Sequence, residues 1–157
     1  MMTRKNATAV AALIGALFLS TASLAQGPSG EGDASLYDRL GGLAPISVVV
    51  SDFLDALIPD PRLNRNPAID AARKRVPAPY LKYQLTAFMC MATGGPCDYP
   101  GRGMRESHAH LDITAQEWDR MVTILEEVLA THDVPERETR ELLELIGTTK
   151  DAIVTGS

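Results

Sequence analysis

Residues 90–114 read Cys-Met-Ala-Thr-Gly-Gly-Pro-Cys-Asp-Tyr-Pro-Gly-Arg-Gly-Met-Arg-Glu-Ser-His-Ala-His-Leu-Asp-Ile-Thr, and the rest of the chain is arranged around them. Gly94-Gly95-Pro96 ends a helix: glycine accepts a left-handed cap and proline cannot continue the hydrogen-bond ladder. An irregular loop follows, with Tyr99 among Pro100, Gly101 and Gly103. A short helical segment then carries His108. Two of the chain's three histidines, His108 and His110, fall here. A segment so short, flanked by glycine-rich loop, is poorly held by its own hydrogen bonds, so something outside it must fix it. A metal or cofactor bond to His108 would do that. So would ordinary burial, and a lone histidine does not choose between the two. His110 does not complete a metal pair, because helix positions two apart point about 200° apart. Met89, Met91 and Met104 could suggest a soft metal, although core packing is the commoner use of methionine.

The chain's two cysteines, Cys90 and Cys97, bracket the helix end. Seven residues apart on a straight helix, their Cα atoms would lie roughly 10 Å apart, too far for a disulfide. The break at Gly94-Gly95-Pro96 lets the chain fold back, so a bridge becomes possible; two buried free thiols are the alternative. The amino terminus bears on this choice. Arg4 and Lys5 precede a mostly apolar run from Ala7 to Leu19, and Ser23-Leu24-Ala25 has a small-x-small cleavage pattern. Residues 1–25 therefore read as a signal peptide, too short to span a bilayer comfortably, and 26–34 as a polar linker. The expected destination is outside the cytoplasm, in the periplasm, where paired cysteines oxidise.

Residues 35–155 are left as one domain. The first 25 residues hold two of the 15 basic residues and none of the 20 acidic ones, so the mature chain carries a net charge of −7. Neither nucleic acid nor, after cleavage, a membrane is expected as a partner.

The remaining pattern is helical. Ser35 with Asp38 starts a short helix that Gly41-Gly42 stops. Pro45 opens the next, with Ile46, Val49, Val50, Phe53, Leu54 and Leu57 on one face. Pro59-Asp60-Pro61 ends it. The stretch 62–79 is broken by prolines, with one or two helical turns over Ile69–Arg75. From Pro79, Leu81, Leu85, Phe88, Met89 and Ala92 make a stripe. Thr114-x-x-Glu117 is a capping box, and Trp118, Met121, Val122, Leu125, Val128 and Leu129 follow at core spacing. The last helix begins at Pro135, with Leu142, Leu143 and Ile146 inward and Ile153-Val154 extending it past Gly147. No period-two pattern is sustained, so the class is all-α: four main helices and two short ones. Acidic residues read as solvated faces. There is no phosphate loop, no zinc-type cysteine set and no nucleophile–histidine motif.

Three blocks in this order resemble the group 1 truncated haemoglobins: Leu36-Tyr37-Asp38-Arg39-Leu40-Gly41-Gly42, Thr93-Gly94-Gly95-Pro96 with Tyr99 and Gly101, and Met104 through Thr114. The likeness runs from Leu36 to Val154, and the cysteine pair looks like an exported branch. The resemblance implies a two-over-two helical sandwich around one haem b. It places His108 on the proximal iron ligand, and Phe53, Leu54, Leu81, Leu85, Phe88, Met89, Tyr99 and Met104 in the cofactor's surroundings. It implies O2, CO or NO as ligand, with oxygen binding or transport as the role and a redox partner of unknown identity. The same haem could instead serve an enzyme for NO dioxygenation or peroxidase-like work. A cofactor-free helical interaction module is the third reading.

The sequence departs from the family in four places. Leu54 stands where a tyrosine often is, and Leu85 where a glutamine often is, unless the register slips by one and Gln84 takes that role. Asn64-Arg65-Asn66-Pro67 replaces an aromatic pair, and the segment before Pro79 looks longer than the family norm. An apolar distal wall of Leu54, Leu81 and Leu85 is therefore expected, with Tyr83 turned away. Such a wall argues against efficient enzymatic versions, since nothing on it stabilises developing charge.

Overall fold

The computed structural model describes residues 34–157; the expected signal peptide and nearly all of the linker lie outside the described residues. The elements are α1 (Leu36–Arg39), α2 (Leu43–Leu57), a 3₁₀ turn at Leu63–Arg65, α3 (Pro67–Arg75), α4 (Ala78–Ala92), α5 (Met104–His108), a second 3₁₀ turn at Ala109–Leu111, α6 (Ala115–Thr131), α7 (Glu136–Gly147) and α8 (Lys150–Ile153). The class is all-α, and the four main helices are α2, α4, α6 and α7, as expected. Short elements are more numerous than the sequence suggested.

Local chemistry explains where the elements begin. The Ser35 side chain accepts from the Asp38 N–H at 3.1 Å, and Asp38 reaches back to Ser35. Gly41 and Gly42 both have φ above +80°, so the chain turns sharply from α1 into α2. That helix starts at Leu43, two residues before Pro45. Asn66, read as part of a broken stretch, is the N-cap of α3: its Oδ1 accepts from Ala68 N–H at 2.9 Å, with Pro67 at the first helical position. Thr114 and Glu117 form the expected capping box of α6.

Helix α2 is the centre of the core and packs against both α4 and α6. With α4 it makes one pair; α6 and α7 make the other, which gives the two-over-two arrangement. The core joins Ile46, Val50, Phe53 and Leu54 of α2 to Ile124, Leu125, Val128 and Leu129 of α6 and Leu142 of α7. Ile124 is 2% exposed, whereas Val122, expected inward, lies outside the core cluster. On a 3.6-residue repeat residues 118, 121, 125, 128 and 129 of α6 span about 100°, and Val122 and Ile124 flank opposite edges of that arc; the packing buries the edge that carries Ile124.

Two other expectations are corrected. The last helix does not run on past Gly147: Thr148 and Thr149 interrupt it, and α8 is a separate turn that buries Ile153. Nor are all the acids on solvated faces. Asp60 and Glu138 are buried. Glu138 accepts from Arg39 at 2.9 Å, with Glu141 on the same guanidinium, which locks α1 to α7. Asp60 accepts from the backbone N–H groups of Arg62 and Leu63 and from Arg120 at 2.9 Å, tying the end of α2 to α6. Among the described residues no helix is long and apolar enough to cross a membrane.

Candidate haem pocket

On α4 only Met89 and Cys90 are buried, while Leu81, Leu85 and Phe88 are partly covered by protein. They face a cavity of about 770 Å³ bounded by α2, α4, α5 and α6. That is within the size range of small-molecule and cofactor sites. Phe53 and Leu54 from α2, Leu81, Leu85, Phe88 and Met89 from α4, and Tyr99, Met104 and His108 from the opposite side all line it. The structure therefore brings together in one place every residue singled out for the cofactor's surroundings.

His108 ends α5, and its Nδ1 lies 2.8 Å from the Met104 carbonyl oxygen. A carbonyl only accepts, so Nδ1 carries the proton and Nε2 keeps its lone pair. Burial pushes the imidazole pKa down, against the raising effect of the Met104 bond; the charges of His110 and Arg102 push it further down. The ring is thus a neutral, oriented donor at physiological pH. Its proton-bearing nitrogen is held by a backbone oxygen, as metal-bound histidines usually are.

The short helix is held from outside. Arg105 donates to the Asp151 carbonyl of α8 at 3.1 Å. Thr155 and Gly156 N–H groups donate to the Ile113 carbonyl at 3.0 and 2.9 Å, just after the histidine segment. Asn66 donates to the Leu111 carbonyl at 2.9 Å. Upstream, Cys90 and Cys97 are paired, with Cα atoms 5.7 Å apart. The Tyr99 ring meets Phe88 edge-on with centroids 5.5 Å apart, and its O–H donates to the Arg102 carbonyl at 3.0 Å. Burial, and then the neighbouring Tyr80, raise the Tyr99 phenol, so it stays a donor. Gly101 is required here, because a Cβ at that position would come within 2.2 Å of the Tyr99 ring.

No group of three or more His, Cys, Asp or Glu side chains able to hold a metal ion occurs among the described residues. His110 lines the cavity but is exposed, and Met91 faces outward. A single neutral imidazole in an apolar chamber does not hold a bare divalent ion against water. It can complete the coordination of a metal that arrives in its own ring of donors. The donor set and the cavity's size and apolar lining therefore fit a haem.

A family model described as "Bacterial-like globin" matches residues 35–155. The chain is a bacterial-like globin. Within that family it is a group 1 truncated haemoglobin. The group 1 truncated haemoglobin GlbN of a Nostoc species is 30% identical over 122 residues, covering 77% of this chain and 98% of the relative. GlbN of Mycolicibacterium paratuberculosis is 29% identical over 123 residues, 78% of this chain and 86% of that one. Among solved structures, the 2/2 haemoglobin of Synechococcus sp. PCC 7002, crystallised in the cyanomet state with covalently attached haem, superposes with a TM-score of 0.68 at 27% identity, covering 77% of this chain and 98% of that one. Family membership implies haem-based binding of a gas ligand.

The α4 wall of this globin differs from the expectation in one respect. Tyr83 is 60% exposed and turned away, as its spacing requires. Tyr80 and Gln84, however, line the cavity beside Leu81 and Leu85. Gln84 Nε2 donates to the Tyr80 hydroxyl at 2.8 Å. Residues 80, 81, 84, 85 and 88 span an arc of about 140° on a helix, so one wall holds both a polar and an apolar edge. The trace in the sequence is a Tyr and a Gln four apart beside the stripe, which does not say whether they meet solvent or a cavity. Trp118 and Met121 of α6 also line the cavity; their spacing reads equally as core.

Proposed function

We propose that this globin binds one haem b, with His108 as the protein's ligand to iron, and takes up O2, CO or NO, with oxygen binding or transport as its role. One observation carries the reading: the Nε2 lone pair of a neutral histidine, fixed through Nδ1 by Met104, belongs to a residue that lines an apolar cavity. When bound, the haem would supply an iron with one position left for a diatomic ligand. The protein's own part is to orient the imidazole, to close the chamber with Phe53, Leu54, Leu81, Leu85, Phe88 and Met89, and to keep water away from the iron. The cysteine pair and the amino-terminal pattern support export to the periplasm. Optical spectra of the purified protein in ferric, ferrous and CO forms test the proposal, and absence of a Soret band would refute it.

A second reading, an NO dioxygenase or peroxidase-like enzyme, is favoured by the Tyr80–Gln84 pair on the cavity wall. NO-dependent oxidation of the oxygenated protein separates the two.

A further inference from the structure

Helix α3 stands apart from the four main helices. It buries none of its residues and packs mainly against the two 3₁₀ turns. It occupies the stretch before Pro79 that looks longer than the family norm. Ile69, Ala72, Arg73 and Val76, three and four residues apart, line the cavity from this side. Lys74 and Arg75 do not line it and are exposed. Along α3 the chamber is therefore separated from solvent by a single helix, roughly 10–12 Å across.

The charge of this region opposes that of the molecule. From 62 to 75 there are five basic residues, Arg62, Arg65, Arg73, Lys74 and Arg75, and one acid, Asp70. From 107 to 157 there are eleven acids and four bases. Asp70 is taken up by Arg73 and Lys74. Arg62, Arg65 and Arg75 are exposed, and among the described residues none has a carboxylate within 4.0 Å. Asp112 and Asp119 border a polar cleft with Arg62 and Arg65, yet pair with neither. Three apart on a 3₁₀ turn, Arg62 and Arg65 share one side, and Leu63 between them is buried. Beyond Arg75 the first turns of α4 carry Tyr80 and Tyr83, 54% and 60% exposed. Arg and Tyr are the side chains that most often carry binding energy between proteins. A strip of unpaired arginines that leads to two exposed tyrosines, on a helix that buries nothing, complements an acidic protein surface.

We propose that the outer side of the Leu63–Arg65 turn and α3, with Tyr80 and Tyr83, is the docking surface for a small acidic electron-donor protein. The inference rests on the haem reading above and gives its redox partner a chemistry and a place. The donor loses one electron and the ferric iron of the bound haem gains it; no atom changes hands. Docking here leaves only α3 between donor and chamber, a gap that an electron crosses without a relay. The basic strip also answers a difficulty: an acidic partner is repelled by the rest of a chain of net charge −7 and is steered to the one region of opposite sign.

The test uses the full mature protein and reduced flavodoxin, an acidic flavoprotein, as donor. Reduction of the ferric protein is followed at the Soret band, with flash-generated lumiflavin semiquinone as an uncharged donor for comparison. Between about 10 and 300 mM salt the flavodoxin rate is expected to fall about tenfold while the lumiflavin rate stays constant. A flavodoxin rate that rises with salt would show that the net charge governs the encounter, and would overturn the surface. Arg62→Glu combined with Arg65→Glu should slow flavodoxin about tenfold at low salt, and Arg75→Gln about threefold. Both should leave the lumiflavin rate, the Soret band and the far-UV circular dichroism unchanged. Equal flavodoxin rates in the wild type and the folded double variant would also overturn the surface. Binding is mapped separately, by amide shifts of the labelled protein on titration with oxidised flavodoxin, and the shifts are expected within residues 62–83. Shifts confined to α6 and α7 would overturn the proposal. So would shifts at 62–83 caused by phosphatidylglycerol vesicles and not by flavodoxin, which would assign the strip to a membrane. Absence of a Soret band would overturn the haem reading and the electron transfer with it, while flavodoxin shifts at 62–83 would still uphold the docking surface.

Discussion

The two walls of the cavity are built by opposite means. On one side, α2 and α4 are 15-residue helices whose apolar stripes follow from spacing alone. On the other, His108 sits on a five-residue helix between loops, positioned by tethers from distant parts of the chain. The first wall resists change because many small contacts share the load. The second depends on a few bonds, each from a different element. The wall that must carry a single exact donor is thus the one with least intrinsic helix stability, and the protein supplies from outside what local structure lacks.

The sharpest way to break this comparison is His108→Ala. It should abolish stable haem retention, read as loss of the Soret band, while His110→Ala leaves the spectrum nearly unchanged. Normal haem content in His108→Ala would mean that the tethered wall has no such role.

The tethers come next. Cys97→Ser, or reduction, opens an eight-residue loop, and the loop-entropy relation gives a loss of roughly 2–3 kcal/mol. Haem release should also accelerate, because Tyr99 and the lead into α5 follow directly. Denaturant unfolding with and without reductant measures the first effect, and haem transfer the second. Mass spectrometry of unreduced material from an oxidising compartment should show the two-hydrogen deficit of a disulfide; two free thiols would contradict it.

A smaller effect is expected on the helical side. Burial raises the Asp60 carboxyl, but hydrogen bonds from Leu63 N–H, Arg120 and Arg62 N–H outweigh it and leave the pKa below its ordinary value. A depressed folded-state pKa stabilises the protein above the unfolded-state value, near 3.9, and that contribution is lost as pH falls through the folded-state pKa. Asp60→Asn should cost about 2 kcal/mol near neutrality. It should also flatten the fall in melting temperature between pH 5 and the acid limit. An unchanged acid profile would show that the Asp60–Arg120 link carries nothing.

The smallest expected effect sharpens the comparison inside the regular wall. Leu54 is 5% exposed and lines the cavity, at the position where the family resemblance leads one to expect a tyrosine. Fast oxygen release and ready autoxidation are expected of the wild type. Leu54→Tyr should slow oxygen release by about tenfold, the equivalent of one good hydrogen bond. Slow release by the wild type, accelerated in Gln84→Ala or Tyr80→Phe, would move the working edge of α4 from its apolar to its polar side.

Much of this could be read from residues in order. Helix faces, the two capping boxes, and the stops at Gly41-Gly42 and Gly94-Gly95 follow from periodicity and turn chemistry, which act within a few residues of chain, whereas the resemblance, not the spacing, assigned the stripes of α2 and α4 to a cavity. The family blocks brought His108 forward from an otherwise undecided position. Contacts between distant residues were not legible. Arg39 with Glu138, Asp60 with Arg120, and Arg105 with the Asp151 carbonyl join residues 99, 60 and 46 positions apart. No local rule pairs such side chains, because any of them could equally face water. The same holds for Tyr80, Gln84 and Arg102. Whether a polar residue beside an apolar stripe meets solvent or a cavity depends on where the opposing loop lies. Here that loop is placed by Cys97 and Tyr99 folding back onto α4, a decision that only the packed chain makes.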